Sequence, residues 1–164
     1  MLDISMSKKM MKILLWLFII CSTTYSNDND KYIGYWLLPN KKVIIEIKKD
    51  NNQYAGYVRW LKEKVYPKGD KMEGLEQIDR NNPSDALKNR KVMNLQVVGD
   101  MIKNADNNLV NGWVYDSWNG KKYYGSAKIV DDNHIKLKGS LDKWNIFGYS
   151  MIIKRVDLKE FDNN

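Results

Sequence analysis

The chain has 164 residues, with 27 Lys and Arg against 20 Asp and Glu, one His, one Cys, six Trp and ten Tyr, for a formal charge of +7. That length holds one domain, or one domain and a leader, with enough aromatic and branched residues for a real core. The basic residues are scattered along the chain between acidic ones and form no block, which argues against nucleic-acid binding.

Residues 8–26 read as an export signal. Lys8, Lys9 and Lys12 make a positive start, residues 13–20 are apolar, and Thr24 and Ser26 place small residues at −3 and −1 before Asn27. The apolar run is about half of the ~20 residues that a membrane span needs. Cys21 ends that run, where a bacterial lipoprotein carries its lipid, but Ile20 stands where a small residue is normal. Cleavage after Ser26 is therefore the expectation, and a lipid anchor at Cys21 the minority alternative. The remaining domain, 27–164, would then lack cysteine, which fits a bacterial periplasm.

Residues 33–38 form a first strand, stopped by Pro39 and Asn40. Residues 42–48 alternate, with Val43, Ile45 and Ile47 inward, and Asn51-Asn52 turns the chain. Residues 53–61 return, with Tyr54, Gly56, Val58 and Trp60 on one face. The strand period is lost over 62–91, a connection well beyond the usual ~4–6 residues. It carries a short helix expected to be capped by Asn82, to take Pro83 in its first turn, and to end at Arg90 or Lys91. Such a loop is either a lid over a binding site or a plug for one end of the sheet. Strand signals resume at Met93, with Gly99 marking a bulge.

The strongest local signal spans residues 113–130. Asn119-Gly120, a tight-turn pair, separates two alternating runs. Before it, Trp113 and Tyr115 share a face. After it, Tyr123, Gly125, Ala127 and Ile129 share one. A further strand follows the turn at 131–133, residues 144–148 form a loop, residues 149–156 a last strand, and 157–164 a polar tail. The pattern is all-β: one small antiparallel up-and-down sheet of about eight strands with one long loop. Closing it into a barrel removes the edges that an open sheet would expose.

The order of motifs resembles the bacterial domain-of-unknown-function family 2147, small exported proteins. The residues that carry this are Gly34-Tyr35-Trp36, the run 54–61, Asp79 with Asn82-Pro83, Leu87 and Arg90, then the run 112–116, Asn119-Gly120-Lys121, Tyr123, Lys138-Gly139 and Phe147-Gly148. The resemblance implies a lipocalin-like (calycin) barrel and brings no catalytic residue with it. Ser140 departs from the family's aromatic, and Ile152-Ile153 stands where Trp is usual, which bears on any ligand contact made by that strand pair.

Little chemistry is available. His134, beside Asp131 and Asp132, is the only histidine, and no nucleophile elbow or phosphate-cradling glycine loop is present. A metal site would need several carboxylates, and neither a metal nor a cofactor is expected. Asp79, Asp85 and Asp116 could converge, but Asp116 has a turn role before Asn119. The aromatics remain: Trp36, Trp60, Trp113 and Trp118 with the tyrosines. Either they fill the barrel, or some line a pocket at one mouth. In the second case the ligand-binding residues are Trp36, Trp60, Trp113, Tyr115 and Tyr123, with Asp79 and Arg90 contributed by the loop.

Two functions follow, with an enzymatic role kept only as a minority third. One is a non-enzymatic periplasmic binding module for a small hydrophobic or amphipathic ligand. The other is a structural or protein-interaction domain of the cell envelope with a filled barrel.

Overall fold

The computed structural model describes residues 30–144 and 146–161, so the expected signal peptide, its cleavage site and Cys21 lie outside the described residues. Eight strands run β1 (Gly34–Leu37), β2 (Val43–Asp50), β3 (Gln53–Leu61), β4 (Gln96–Lys103), β5 (Leu109–Asp116), β6 (Lys121–Asp131), β7 (His134–Ser140) and β8 (Gly148–Val156). Each pairs antiparallel with the next, and β8 returns to β1 with Trp36 opposite Arg155, closing the barrel. The all-β meander expected from the alternation is the observed architecture. Closure gives every strand two neighbours and removes the free edges of an open sheet.

Register shifts interrupt four of the strand pairs, and two of them place residues on which the sequence reading turns. On β2 and β3, Ile45 faces Val58 while Ile44 faces Trp60, so Arg59 is an extra residue. Because alternate residues point to opposite faces, one added residue inverts the pattern. Trp60 therefore leaves the face of Val58 and joins Ile44 outside. There Phe161 covers it, with ring centroids 5.2 Å apart and the Trp60 Nε1–H donating to the Phe161 carbonyl at 3.0 Å. The tail expected to be only polar thus contributes an apolar cover.

The second bulge lies on β4. Tyr54 faces Met101 and Gly56 faces Val98, leaving one extra residue at Gly99–Asp100, with Asp100 at φ 56°. Val98 and Met101 both point inward as a result, and both are buried. Gly99 points outward under the Trp113 ring, where a Cβ would come within 2.3 Å of ring carbon.

The turn after β5 occupies four residues, 117–120, instead of the two-residue turn read from Asn119-Gly120. Of that pair only Gly120 has positive φ, at 70°. Asp116 organises the turn by accepting the Trp118 N–H at 2.9 Å and the Asn119 Nδ2–H at 2.7 Å. Gly120 is required for another reason as well: a Cβ there would sit 1.8 Å from the Asn81 carbonyl of the long loop.

That loop carries the expected short helix as a single 3-10 turn, Asp85–Leu87, shorter than expected and starting after Ser84. Asn82 caps no helix. Its Oδ1 accepts the Ser84 N–H at 2.9 Å, and its amide is spent on Asp79 and Tyr115. The loop is nonetheless ordered by bridges between Val65 and Glu76 and between Ile78 and Lys91. Arg80 holds Asp70 through two hydrogen bonds of 2.7 and 2.8 Å and stacks 4.2 Å above the Tyr66 ring.

The turns 51–52, 104–108 and 132–133 and the segment 30–33 gather at one end of the barrel. The long loop and the β1–β2, β5–β6 and β7–β8 connections gather at the other.

Candidate ligand cavity

The end bearing the short turns is filled. Tyr32, Trp36, Tyr54 and Met101 are fully buried there, with Ile47, Leu109 and Ile135 around them. Tyr32 folds beneath the barrel. Its hydroxyl lies 2.9 Å from the Asn107 carbonyl and 3.3 Å from that of Ala127, and its own carbonyl accepts the Trp36 indole N–H at 2.9 Å. Arg155 closes the same end with its guanidinium 4.2 Å over the Trp36 ring.

A buried carboxylate seals that end. Asp30 accepts the Tyr54 hydroxyl and the Lys103 ammonium, the latter at 2.9 Å, with Lys49 at 3.7 Å from the same oxygen. Burial pushes the Asp30 carboxyl up, but its hydrogen bonds from Tyr54 and Lys103 outweigh that and hold it below its ordinary value. Tyr54 is pushed up to about 12, first by burial and then by its bond to this carboxylate. A buried charge is stable only when paired in this way.

The other half is hollow. The interior positions there carry Val43, Ile45, Val58, Val98, Val114, Leu137 and Met151, which are too small to meet across an eight-stranded barrel. They enclose a cavity of about 760 Å³ that opens at the mouth. Polar groups lie only around the opening: Asn40, Asp116, Asn119, Lys121 and the Tyr123 hydroxyl, which is 3.2 Å from the Asn119 amide. Trp118, Leu141, Phe147 and Tyr149 complete the rim.

Of the residues expected to bind ligand, Tyr115 and Tyr123 line this cavity. Tyr123 points inward from β6, opposite Val114. Tyr115 reaches it at the mouth, from the outward face of β5. Trp36 sits in the filled end, and the bulge at Arg59 places Trp60 outside. Trp113 also lies outside, donating its Nε1–H to Asp100 at 2.8 Å beneath the Lys122 ammonium. The face it shares with Tyr115 is the outer one.

Asp79 and Arg90 do not reach the cavity. Asp79 is fully buried, accepting the Tyr115 hydroxyl at 2.7 Å, the Asn82 amide at 2.8 Å and the Arg90 guanidinium at 2.7 Å. Burial, and after it the bond to Asp79, push Tyr115 up to about 12. These groups tie the long loop to the barrel wall. No residue of 62–95 lines the cavity; the loop grips the rim turn instead, with the Asn81 amide donating to the Trp118 carbonyl. Asp85 pairs with Lys88 at 2.6 Å and Asp116 with its own turn, so the three carboxylates do not converge. His134 Nδ1 lies 2.9 Å from Asp131 on the surface, outside the cavity lining.

Residues 34–155 match the sequence profile of a family described as an uncharacterized protein conserved in bacteria, DUF2147. The chain belongs to this family. Among solved structures, it is similar to a protein of the human pathogen Helicobacter pylori, HP1028, described as belonging to the lipocalin family. The two share 23% identity over 80% of this chain and 87% of that one, with a TM-score of 0.65. That likeness supports a lipocalin-like barrel fold. No curated protein matches the chain.

The departures from the DUF2147 pattern can be placed. Ser140 is fully buried and donates to the Phe147 carbonyl at 2.7 Å, anchoring the rim where an aromatic would have filled space. Ile153 lies buried in the filled end, and Ile152 is on the surface. Sequence reasoning passed over the small lining residues and the rim at 141–149. The first look like any core. The second left a visible signal: Leu141, Trp144, Ile146, Phe147 and Tyr149 crowded into a stretch containing a loop.

Proposed function

We propose that this protein is a non-enzymatic binding module that holds one small hydrophobic or amphipathic molecule in the open half of its barrel. The observation that carries the reading is the cavity: about 760 Å³, apolar in depth and polar only at its mouth. This falls within the roughly 300–1,000 Å³ of ordinary small-molecule sites, which are apolar with a few placed polar groups. An amphipathic ligand would keep its polar end by Asn40, Asn119, Lys121 and Tyr123 and its apolar part against Val58, Val98, Val114 and Met151. The lipocalin-like fold supports this reading, and the hollow half counts against a barrel that serves only as a filled structural or interaction domain.

Export to a bacterial periplasm belongs to the same proposal and rests on the pattern at 8–26. Intact mass of the native protein should place its first residue at or near Asn27, and a lipid-bearing Cys21 terminus would replace that reading with a membrane-anchored one.

The direct test of binding is fluorescence titration with anilinonaphthalene sulfonate and a panel of fatty acids, lipids and other apolar compounds. One compound should bind saturably at one site and alter the emission of Trp118, the tryptophan on the cavity rim. Val114→Trp should abolish this binding while leaving the barrel folded. A panel without any binder, or binding indifferent to Val114→Trp, would remove the proposal.

A further inference from the structure

The exposed apolar side chains of the described residues gather in one place more than anywhere else. Leu141, Trp144, Ile146, Phe147 and Tyr149 are 74%, 71%, 67%, 70% and 73% exposed, and Trp118 across the mouth is 51% exposed. Single exposed apolar residues need no explanation, but a contiguous group of this kind marks a contact surface. Leu141, Phe147 and Tyr149 line the cavity, whereas Trp144 and Ile146 do not.

This projecting loop is held in shape. The Asp142 carboxylate accepts the N–H groups of Phe147, Trp144 and Ile146 at 2.7, 2.9 and 3.1 Å, and the Leu141 N–H donates to the Phe147 carbonyl at 2.8 Å. The bond from Phe147 leads the causes that keep Asp142 below its ordinary value. The tip residues are therefore presented to solvent by a braced turn, and do not fold back onto the barrel.

Charge selects the partner. Lys143 lies 5.0 Å over the Trp144 ring, Lys121 lines the mouth, and Lys41 projects from the β1–β2 turn. None of these ammoniums has a carboxylate in ion-pair contact among the described residues. The neighbouring acids are occupied: Asp116 and Asp142 by their own turns, Glu63 by Lys42 at 3.0 Å. Tryptophan, tyrosine and lysine side by side suit a bilayer interface, where the rings lie at headgroup depth and the ammoniums meet anionic lipid.

We infer that the mouth of the barrel docks on an anionic lipid surface, with Trp144 and Ile146 inserted and Lys143, Lys121 and Lys41 against the headgroups. Docking rests on the rim and not on the ligand reading, although the two combine well. A cavity opening onto the bilayer exchanges an apolar molecule without passing it through water. The contact inferred is surface attachment by this loop; among the described residues no helix is long and apolar enough to cross a membrane.

The test is flotation of the purified native protein with vesicles of equal parts phosphatidylethanolamine and phosphatidylglycerol, compared with pure phosphatidylcholine. Binding should favour the anionic vesicles about ten-fold or more, as three lysines allow, with a blue shift of tryptophan emission. The double variant Trp144→Ser, Ile146→Ser alters no cavity-lining residue. It should lose at least about ten-fold in vesicle binding, melt at an unchanged temperature and keep any binding found in the fluorescence titration, which separates failure of docking from failure of the ligand reading. Lys143→Glu should weaken binding in low salt only. Equal flotation of variant and wild type would overturn the inference, since a lipid on Cys21 or an uncleaved leader would hold both alike. Absence of vesicle binding would overturn it too. So would light scattering that showed the wild type as a dimer and the variant as a monomer, because a second copy would then be what covers the rim.

Discussion

The two halves of this barrel share strands, hydrogen-bond ladder and family, yet one is solid and the other hollow. In the filled half Tyr32, Trp36, Tyr54 and Met101 meet across the axis, and the buried Asp30 is matched by Tyr54 and Lys103. In the hollow half the corresponding inward positions hold valines, Leu137 and Met151 around about 760 Å³ of space. The comparison separates stability from function within one sheet. Large side chains and a satisfied buried carboxylate anchor the first half, so the second can leave volume unfilled without losing the fold.

Trp36→Ala should produce the largest effect, a loss of about 3–5 kcal/mol in urea unfolding, because it opens a void where the neighbours cannot collapse. A smaller loss would mean that the two halves are less different than their packing implies.

Asp30→Asn should follow, at about 2–3 kcal/mol, since hydrogen bonds to a charged group are replaced by neutral ones beside two lysines. It also carries a pH signature. The folded carboxyl titrates below its ordinary 3.8, so ionised Asp30 contributes stability above that pH, and this is lost as pH falls through the lowered folded value. The variant should show a shallower acid limb in unfolding measured from neutral pH downward. An unchanged limb would mean that the carboxylate does not seal the closed end.

The smallest effects sharpen the contrast most. Ala127→Phe overfills the solid half and should cost about 1–3 kcal/mol, whereas Val114→Phe has a void to enter and should cost less than about 1 kcal/mol. Equal costs for the pair in thermal unfolding would show that the cavity closes up in solution.

Much of the fold was legible. Alternation in 42–48, 53–58 and 121–129 has only one arrangement that buries its apolar face, and eight such strands with short turns close into a barrel. The site was legible only in part. Tyr123 follows the alternation of its strand into the cavity, but Trp60 and Trp113 look equally inward when the chain is read by parity. What sends Trp60 outside is the bulge at Arg59, and no local residue announces it. For Trp113, alternation set its shared face with Tyr115, but only the pairing of β5 with its neighbours showed that face to be the outer one.

The long loop teaches the same lesson at larger scale. Its polarity and lost period correctly marked a break in the sheet after Leu61, but the next strand begins at Gln96 and not at Met93. They could not say that Asp79 would be buried against Tyr115, 36 residues away, or that the Asn81 carbonyl would pack against Gly120. What the sequence by itself determined was whatever depends on neighbours along the chain: strand parity, turns and the β class. Which residues face the hollow was decided only by the tertiary structure, because that depends on cross-strand register, and a single inserted residue on one strand reverses every side chain beyond it.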